Sequence, residues 1–385
     1  MNIYFHITGE DITAEKSQVV HVHSGQLSYI YGFGLEDLDP LSMRRNLMRW
    51  CALCVVATVM IVAWETGFYM ASITQERGTS MKYQISRAHR ASEKAEDPKV
   101  VVERKQSERR STLRKECKLA QMSNTVSEYT IKHMLVVEDY NLVYCFIPKV
   151  GCSNWKRILM VLDNQTDSVD GLTSDEVHIN GKFKFLITYG PEERTRILRD
   201  YKKFFFVRHP FERVLSVFKN KLENAKVYRN NRHFHRFGRE IIKRWRLGAS
   251  EAELMTGENS TWPEFVQYLT HTERRRRFEK SDVYFSDHWA EMNKICSPCA
   301  VDYDFIGLLE NVAEESKYFL EKLGVNEKVT YLGANTSRPT NSSEAGVYEG
   351  YYTKLPQEDL INLWDIFKND FTFFGYPKPW FIPDS

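Results

Sequence analysis

A lysine, a glycine and a serine follow one another within a short turn between two apolar segments. Lys149, Gly151 and Ser153 lie in this turn, after the β-prone run 142–147. The apolar residues that follow the turn recur at the spacing of one helix face, and they are Trp155, Ile158, Leu159 and Leu162. Unpaired backbone N–H groups and the helix dipole converge at such a helix N-terminus. The order strand, polar turn, helix therefore predicts a site for a phosphate-like anion.

A second turn of the same kind follows the apolar run 203–207. Arg208 stands at the end of this predicted strand, Pro210 suits a first helical turn, and Ser216 lies on the helix that follows. An arginine can bind a phosphate through two parallel hydrogen bonds, and a serine hydroxyl can donate another. An arginine before a helix is more often a surface ion pair, but two such turns favour a ligand with two anionic ends. The chain has no GxxxxGK[ST] segment, which argues against a nucleoside triphosphatase or kinase.

The elements that must position both turns are short buried strands, each followed by an amphipathic helix. This alternation predicts an α/β domain with a P-loop-like, mainly parallel sheet flanked by helices. A chain of 385 residues can hold one large domain with appendages, and we expect that domain to comprise residues 116–385. The 53 Lys and Arg residues balance 51 Asp and Glu residues, so any basic surface that binds a partner must be local.

Residues 46–72 are predicted to form a single transmembrane helix. The run 50–71 contains one charged residue, Glu65, and would extend about 33 Å as a helix, which is enough to span a bilayer. A buried core helix is the alternative, although polar stretches lie on both sides of the run. We therefore expect a cytoplasmic tail over 1–45 and a solvated stem over 73–115.

Asparagine sequons lie only on the C-terminal side of the predicted span. They begin at Asn164, Asn259, Asn335 and Asn341. Lysines and arginines are balanced on the two sides of the span, so the positive-inside rule barely decides its orientation. The sequons favour a cytoplasmic N-terminus and a lumenal domain with N-glycosylation at these asparagines.

Cysteine usage agrees with a lumenal domain. Five cysteines follow the predicted span, and they are Cys117, Cys145, Cys152, Cys296 and Cys299. An odd number leaves at least one thiol unpaired even in an oxidising compartment. Cys296 and Cys299 form a single CxxC pair, without a second pair or a histidine pair to complete a zinc site. We therefore expect a disulfide or local staple there rather than a metal ion.

The two turns resemble known motifs. The segment 148–156, Pro-Lys-Val-Gly-Cys-Ser-Asn-Trp-Lys, resembles the 5′-phosphosulfate-binding motif of Golgi carbohydrate sulfotransferases, and 208–216 resembles their 3′-phosphate-binding motif. Similarity to the chondroitin 4-O-sulfotransferase and HNK-1 sulfotransferase family extends through most of residues 117–376. It implies sulfuryl transfer from 3′-phosphoadenosine 5′-phosphosulfate to a sugar hydroxyl, without a metal ion. The donor-binding residues that it implies are Lys149, Val150, Gly151, Cys152, Ser153, Asn154, Trp155, Arg208 and Ser216.

Lys149 and His288 are the predicted catalytic residues. Negative charge develops on the bridging oxygen as the S–O bond breaks, and the ammonium of Lys149 can stabilise it. The acceptor hydroxyl needs a base, and the imidazole of His288 suits that role. A structural role is the alternative for His288, and His233 and His235 are the other candidate bases. His209 is expected to be structural.

Two basic runs indicate an anionic acceptor. One consists of Arg229, Arg232, Arg236, Arg239, Lys243, Arg244 and Arg246, and the other is 274–277. Such runs usually form solvated faces, but two of them suit a polyanionic glycan, and a lumenal location argues against nucleic acid. The resemblance implies 4-O-sulfation of N-acetylgalactosamine in chondroitin or dermatan by a Golgi membrane enzyme. An HNK-1-type glucuronic acid 3-O-sulfotransferase and an inactive glycan-binding relative are the alternatives.

Overall fold

The protein is represented by a computed structural model that describes residues 22–23, 26–27, 97–173, 176–271, 286–333 and 340–383. The chain divides into two units, 1–95 and 96–385. In the first unit, β1 (Val22–His23) pairs antiparallel with β2 (Gln26–Leu27). The predicted transmembrane helix lies outside the described residues, as does the predicted tail apart from this hairpin. Among the residues that are described, no helix combines the length and apolar character needed to cross a membrane.

A five-stranded sheet forms the centre of the second unit. Its strands are β3 (Met134–Val137), β4 (Leu142–Cys145), β5 (Lys184–Phe185), β6 (Lys202–Val207) and β7 (Phe305–Leu308), in the order β5-β3-β4-β6-β7. Strands β4, β6 and β7 are parallel, whereas β3 is antiparallel to both β4 and β5. The prediction of a mainly parallel sheet is therefore wrong, and the sheet is mixed. Only a short turn through Asn141 joins β3 to β4, and a parallel crossover needs a dozen or more residues.

Helices cover the sheet and extend the domain. The α-helices of the described residues are α1 (Pro98–Leu119), α2 (Glu128–Ile131), α3 (Cys152–Leu162), α4 (Pro191–Asp200), α5 (Pro210–Phe218), α6 (Ala225–Asn230), α7 (Arg232–Trp245), α8 (Glu251–Thr256), α9 (Trp262–Thr270), α10 (Met292–Cys296), α11 (Val312–Leu323), α12 (Ala345–Tyr352) and α13 (Gln357–Phe374). Two π-helical segments, Glu176–Asn180 and Lys219–Glu223, and three 3₁₀ turns, Glu138–Tyr140, Leu186–Thr188 and Leu309–Asn311, complete the regular structure. Both predicted strand–turn–helix units are confirmed, as β4–α3 and β6–α5.

Two apolar clusters form the core. The first surrounds the sheet, where Trp155 of α3 packs on the rings of Phe204 and Phe206 with centroid distances of 5.0 and 4.8 Å. The second surrounds α5, α7, α9 and α13, and in it Phe211 stacks on Tyr352 at 4.9 Å. Because β6 belongs to the first cluster and α5 to the second, the turn that begins with Arg208 lies at their junction.

Helix α1 belongs to the folded domain rather than to a solvated stem. The side-chain amide of Gln106 donates to the carbonyl of Ile306 at 2.9 Å and accepts from the N–H of Ile306 at 3.0 Å. Arg109 forms a buried ion pair with Glu315 at 2.8 Å. The boundary predicted between residues 115 and 116 therefore falls inside α1. The charged composition of this helix concealed its packing, because polar side chains make these contacts.

Two disulfides connect distant parts of the domain. Cys145 pairs with Cys296, and Cys117 pairs with Cys299, while Cys152 is a free thiol. The expected disulfide chemistry of the CxxC pair is confirmed, but neither cysteine forms a local staple. Cys296 is buried against the end of β4, whereas Cys299 reaches α1. The first disulfide therefore anchors the strand that leads directly into the Lys149 turn.

The Gln106→Ala variant is expected to lower the free energy of unfolding by about 2 kcal/mol, because the buried N–H of Ile306 loses its acceptor. Urea denaturation measures this difference. Gln357→Ala, at an exposed position in the first turn of α13, is the matched control and should change stability by less than about 0.5 kcal/mol. Equal unfolding midpoints for the two variants would contradict the docking of α1.

Candidate active site

The first turn holds two residues in the left-handed backbone region. Lys149 has φ 69° and Gly151, which caps the N-terminus of α3, has φ 71°. A Cβ atom on Gly151 would lie 2.2 Å from the hydroxyl oxygen of Tyr331, so both the backbone angle and the packing require glycine. A lysine in this region is uncommon, and such strain concentrates at functional sites where the surrounding structure holds it. The turn thus fixes the direction in which Lys149 leaves the backbone.

The other residues of the first turn divide into buried and accessible side chains. Val150 and Trp155 are about 1% exposed and belong to the core. The amide of Asn154 is also buried, and it donates to the carbonyl of Leu332 at 2.6 Å. The first two residues of α3, Cys152 and Ser153, are half-buried. Direct side-chain contacts to a ligand from this segment therefore fall to Lys149 and the start of α3.

Arg208 brings the two turns together. Its Nη1 lies 3.5 Å from the carbonyl oxygen of Lys149, because the parallel strands β4 and β6 end side by side. The guanidinium side chain is only 11% exposed and pairs with Glu212, one turn along α5, at 3.6 Å. Burial lowers the pKa of Arg208, but an arginine keeps its proton at neutral pH. The second turn therefore presents a buried positive charge beside the first.

A loop near the C-terminus completes this polar cluster. Nη2 of Arg208 donates to the hydroxyls of Ser342 and Ser343, at 2.9 and 2.8 Å. The hydroxyl of Ser216 shares a hydrogen bond of 3.0 Å with that of Thr340. Arg208 and Ser216, which were paired from sequence as a phosphate site, thus lie in one group of hydrogen-bonded hydroxyls.

Arg213 ties the first turn to another part of the chain. It is about 1% exposed, and its guanidinium donates to three backbone carbonyls. These belong to Pro148 at 3.0 Å, Ala290 at 2.6 Å and Asp287 at 2.8 Å. Burial lowers the pKa of Arg213 to about 10, which leaves the group charged at neutral pH. One side chain therefore positions both the turn before α3 and the segment that carries His288.

His288 lies among groups that keep its imidazole neutral. Its Nδ1 lies 3.1 Å from the hydroxyl of Ser286, and its ring packs edge-on to Phe234 at 5.1 Å. The ammonium of Lys221 lies 5.2 Å from the centre of the same Phe234 ring. Burial lowers the pKa of His288 well below its ordinary value, and the positive charges of Lys221 and Lys149 lower it further. The structure therefore brings His288 into the electrostatic field of the first turn.

The other candidate histidines have different surroundings. His235 Nε2 contacts the carbonyl oxygen of Tyr228 at 2.9 Å, and His233 is exposed at the start of α7. His209 is structural, as expected, because its ring nitrogen accepts from the N–H of Glu212 and caps α5. Burial lowers the pKa of His209 to about 4, so this ring is neutral at pH 7.

Carboxylates neutralise part of the first basic run. The ion pairs join Arg229 to Glu258, Arg244 to Glu240, and Arg246 to both Glu253 and Glu264. Arg232, Arg239 and Lys243 are exposed on α7, and Arg236 lies over the ring of Phe237 at 4.6 Å. The second run, 274–277, lies outside the described residues. Within the described ranges, no group of three or more His, Cys, Asp or Glu residues is placed to hold a metal ion.

Sequence reasoning missed several residues of this site. Arg213 was named only as part of the motif 208–216, and Lys221 was not singled out. Ser342 and Ser343 were named only as part of the sequon that begins at Asn341, and Thr340 was not singled out. The available signal for Lys221 was its place one helical turn beyond the predicted phosphate-binding helix. A polar loop more than 120 residues from Arg208 in sequence gave no comparable signal.

The two turns lie at the carboxyl ends of adjacent parallel strands, where open α/β sheets bind ligands, and they suit a ligand with two anionic ends. The family model described as "Sulfotransferase family" matches residues 132–377, and the chain therefore belongs to the sulfotransferase family. It is a sulfotransferase enzyme, and the family implies 3′-phosphoadenosine 5′-phosphosulfate as sulfate donor.

Curated relatives specify the general acceptor class. The chain is 33% identical over 273 residues to carbohydrate sulfotransferase 11 of Mus musculus, covering 70% of this chain and 74% of the relative. It is 32% identical to carbohydrate sulfotransferase 8 of Homo sapiens, covering 73% and 64%. It is 34% identical to carbohydrate sulfotransferase 14 of Danio rerio, covering 65% and 63%. These relatives support sulfate transfer to a glycan. No solved structure matches the chain significantly.

The Arg213→Lys variant is expected to lose about 3 kcal/mol of stability, because a compact ammonium cannot reach all three carbonyls that the planar guanidinium spans. Its turnover number should also fall, since the first turn and the His288 segment are no longer held by hydrogen bonds to the same side chain. Thermal unfolding and steady-state kinetics measure the two effects. Arg199→Lys, an exposed residue of α4 paired with Asp200, is the control. A variant with native stability would disprove this positioning role.

Proposed function

We propose that the protein is a Golgi glycosaminoglycan sulfotransferase that sulfates the 4-hydroxyl of N-acetylgalactosamine in chondroitin or dermatan. The observation that carries the proposal is the junction of the two turns through Arg208 and the carbonyl of Lys149. A cation-bearing turn at a helix N-terminus and an arginine–hydroxyl cluster are thereby adjacent. The donor set is cationic and rich in hydroxyls, which fits a nucleotide with separate 5′-phosphosulfate and 3′-phosphate groups.

The proposed donor contacts divide between the two turns. Lys149, Gly151 and Ser153 would hold the 5′ end, with the N-terminal N–H groups of α3. Arg208 and Ser216 would hold the 3′-phosphate, with the hydroxyls of the loop 340–343 as additional donors. When bound, the donor supplies the sulfuryl group and a bridging oxygen on which charge develops. The side chains of Val150, Asn154 and Trp155 shape the turn from inside, as does the helix that begins at Cys152.

Lys149 and His288 would divide the chemical work. The ammonium of Lys149 stabilises the developing charge on the bridging oxygen, which lowers the barrier more than it stabilises the bound ground state. His288 accepts the proton of the acceptor hydroxyl at Nε2 when its Nδ1–H donates to Ser286. The positive charges of Lys149 and Lys221 favour this neutral form, whose lone pair can take the proton.

The acceptor surface would include the exposed cations of α7. Arg232, Arg239 and Lys243 lie on the same helix as Phe234, and Phe234 contacts His288. These cations lie on the exposed face of the helix, away from Phe234, so they would hold a flanking part of a polyanionic glycan rather than the sugar that reacts at His288. The 4-O position itself rests on the resemblance to the chondroitin 4-O-sulfotransferase group. A labelled-donor assay against a panel of desulfated glycosaminoglycans, with disaccharide analysis of the product, tests it.

That assay separates the proposal from its alternatives. Sulfate on the 3-position of glucuronic acid would establish the HNK-1-type activity instead. An absence of transfer, together with glycan binding, would establish the inactive relative. Sulfate on the 4-position of N-acetylgalactosamine is the expected result.

We also propose a type II Golgi membrane location, with residues 46–72 as the anchor and the folded domain in the lumen. The exposed sequon residues Asn164, Asn259 and Asn341 and the two disulfides support a lumenal domain. A shift in electrophoretic mobility after N-glycosidase treatment, and protection of the domain from protease in sealed Golgi vesicles, test this location.

Lys149→Ala is expected to reduce the turnover number at least about 100-fold, because the developing charge loses its cation. Binding of 3′-phosphoadenosine 5′-phosphate, measured by calorimetry, should be weaker but still detectable, since the residues of the second turn are unchanged. Lys184→Ala, an exposed lysine of β5, is the control and should retain native turnover. Retained turnover in Lys149→Ala would contradict the role of Lys149.

Arg208→Ala is expected to raise the KM for the donor about 10- to 100-fold, because a charge-assisted contact to the 3′-phosphate is lost. The KM for the acceptor should stay close to its native value. The Arg199→Ala variant provides the surface control. An unchanged donor KM would refute the 3′-phosphate assignment.

The pH profile of kcat/KM tests the proposed base. The pKa of His288 is lowered, so the neutral form persists below pH 6.5. The midpoint of the acidic limb of the activity profile should therefore lie below pH 6.5. Lys221→Met removes a positive charge and should move this limb to higher pH. An acidic limb centred at or above pH 6.5 in the native protein, or one unmoved in the variant, would exclude His288.

A further inference from the structure

A histidine outside both motifs contacts the first turn of α3. The Nε2 atom of His178, in the π-helical segment Glu176–Asn180, lies 2.8 Å from the hydroxyl oxygen of Ser153. Its other ring nitrogen, Nδ1, lies 3.5 Å from the ammonium of Lys156. Ser153 and Lys156 are three residues apart on α3, so they lie on one helix face and a single imidazole reaches both. The three side chains form a chain that ends at the proposed 5′ site.

Lys156 cannot take part in ligand binding directly. It is 6% exposed, and its ammonium lies 4.3 Å from the centre of the Phe146 ring and 5.5 Å from that of Phe183. Aromatic faces attract an ammonium and hold it in place. Burial lowers the pKa of Lys156, and Cys152 acts in the opposite direction. Any influence of Lys156 on a ligand must therefore pass through a neighbouring side chain.

The direction of the hydrogen bonds follows from the donor chemistry. An ammonium has only donors, so the contact with Lys156 requires the lone pair of His178 at Nδ1. The neutral ring then carries its proton at Nε2, and this N–H donates to the hydroxyl oxygen of Ser153. Because its oxygen already accepts this bond, the hydroxyl of Ser153 has its own proton to offer to another group. An anionic oxygen at the start of α3 is the acceptor that such an O–H needs.

We propose that His178 is a positioning residue that, held in one tautomer by Lys156, orients the Ser153 hydroxyl as a hydrogen-bond donor to the 5′-phosphosulfate. The opposite tautomer would draw the Ser153 proton toward the ring and present only lone pairs to the anion. This inference rests on the proposed function, because it assigns the 5′ end of the donor to the first turn. It adds His178 and Lys156, which lies inside the first motif but is buried, to the determinants of donor affinity.

Calorimetric binding of two nucleotides to the full protein tests the proposal. 3′-Phosphoadenosine 5′-phosphate carries a 5′ anion, and adenosine 3′-phosphate lacks one. His178→Ala should weaken binding of the first nucleotide about fivefold, the value of one neutral hydrogen bond, and leave the second unchanged. His178→Gln should restore most of the affinity, because the glutamine amide N–H can donate to Ser153 in place of the imidazole Nε2–H. Lys156→Met should show the same selective loss, while Lys184→Met, at an exposed position, should not.

A double-mutant cycle completes the test. His178→Ala should add no further loss in a Ser153→Ala background, because His178 acts through that hydroxyl. Equal losses for both nucleotides, additive effects of the two substitutions, or a Gln variant as weak as the Ala variant would each overturn the proposal. Native affinity in His178→Ala would also overturn it. A native protein that binds neither nucleotide would instead refute the proposed function, and thermal unfolding confirms that each variant is folded.

Discussion

The buried guanidinium of Arg213 is the interaction on which the arrangement of the site depends. It joins the carbonyl before Lys149 to the segment on either side of His288, although these parts are about 140 residues apart in sequence. The buried carboxylate of Asp370 acts on the same charge and accepts N–H groups at the start of α10. Burial of such a cation is unfavourable unless its N–H groups find acceptors. The three carbonyls are in reach of the guanidinium only when both segments are in place, so charge burial and site geometry are coupled.

Local sequence signals predicted the units β4–α3 and β6–α5 well. Each has a continuous apolar strand and a helix that is apolar on one face. The burial of Trp155 and Phe211 can therefore be predicted from neighbouring residues alone. Lys149 and Arg208 lie close together because the ends of adjacent parallel strands meet at one sheet edge, whereas Ser216 follows on α5. Whether neighbouring strands pair parallel or antiparallel was harder to predict from the sequence. The antiparallel β3 depends on a short connection through Asn141, which composition alone does not reveal.

Contacts between distant segments could not be predicted from the sequence. Helix α1 looked like a solvated stem because Gln106 and Arg109, polar residues that are usually exposed, separate the two buried apolar residues Val102 and Leu113 on its packed face. The disulfide partners of Cys296 and Cys299 lie 151 and 182 residues away, and spacing gives no such pairing. His178 and the loop 340–343 reach the site only through tertiary folding. Histidine, serine and threonine are common on protein surfaces, so their residue types alone do not indicate that these residues contact the site.

The docking of α1 also covers one edge of the sheet. Among the strands of the described residues, β7 lies at an edge of the sheet, and such an edge can pair with another chain. Gln106 and Arg109 occupy the N–H and carbonyl of Ile306, and Cys117 holds the helix there covalently. A chain that began after α1 would keep every residue of the two phosphate turns. It would also present a bare strand, an unpaired thiol at Cys299 and a buried Glu315 without its ion-pair partner, so stability and solubility limit how short the domain can be.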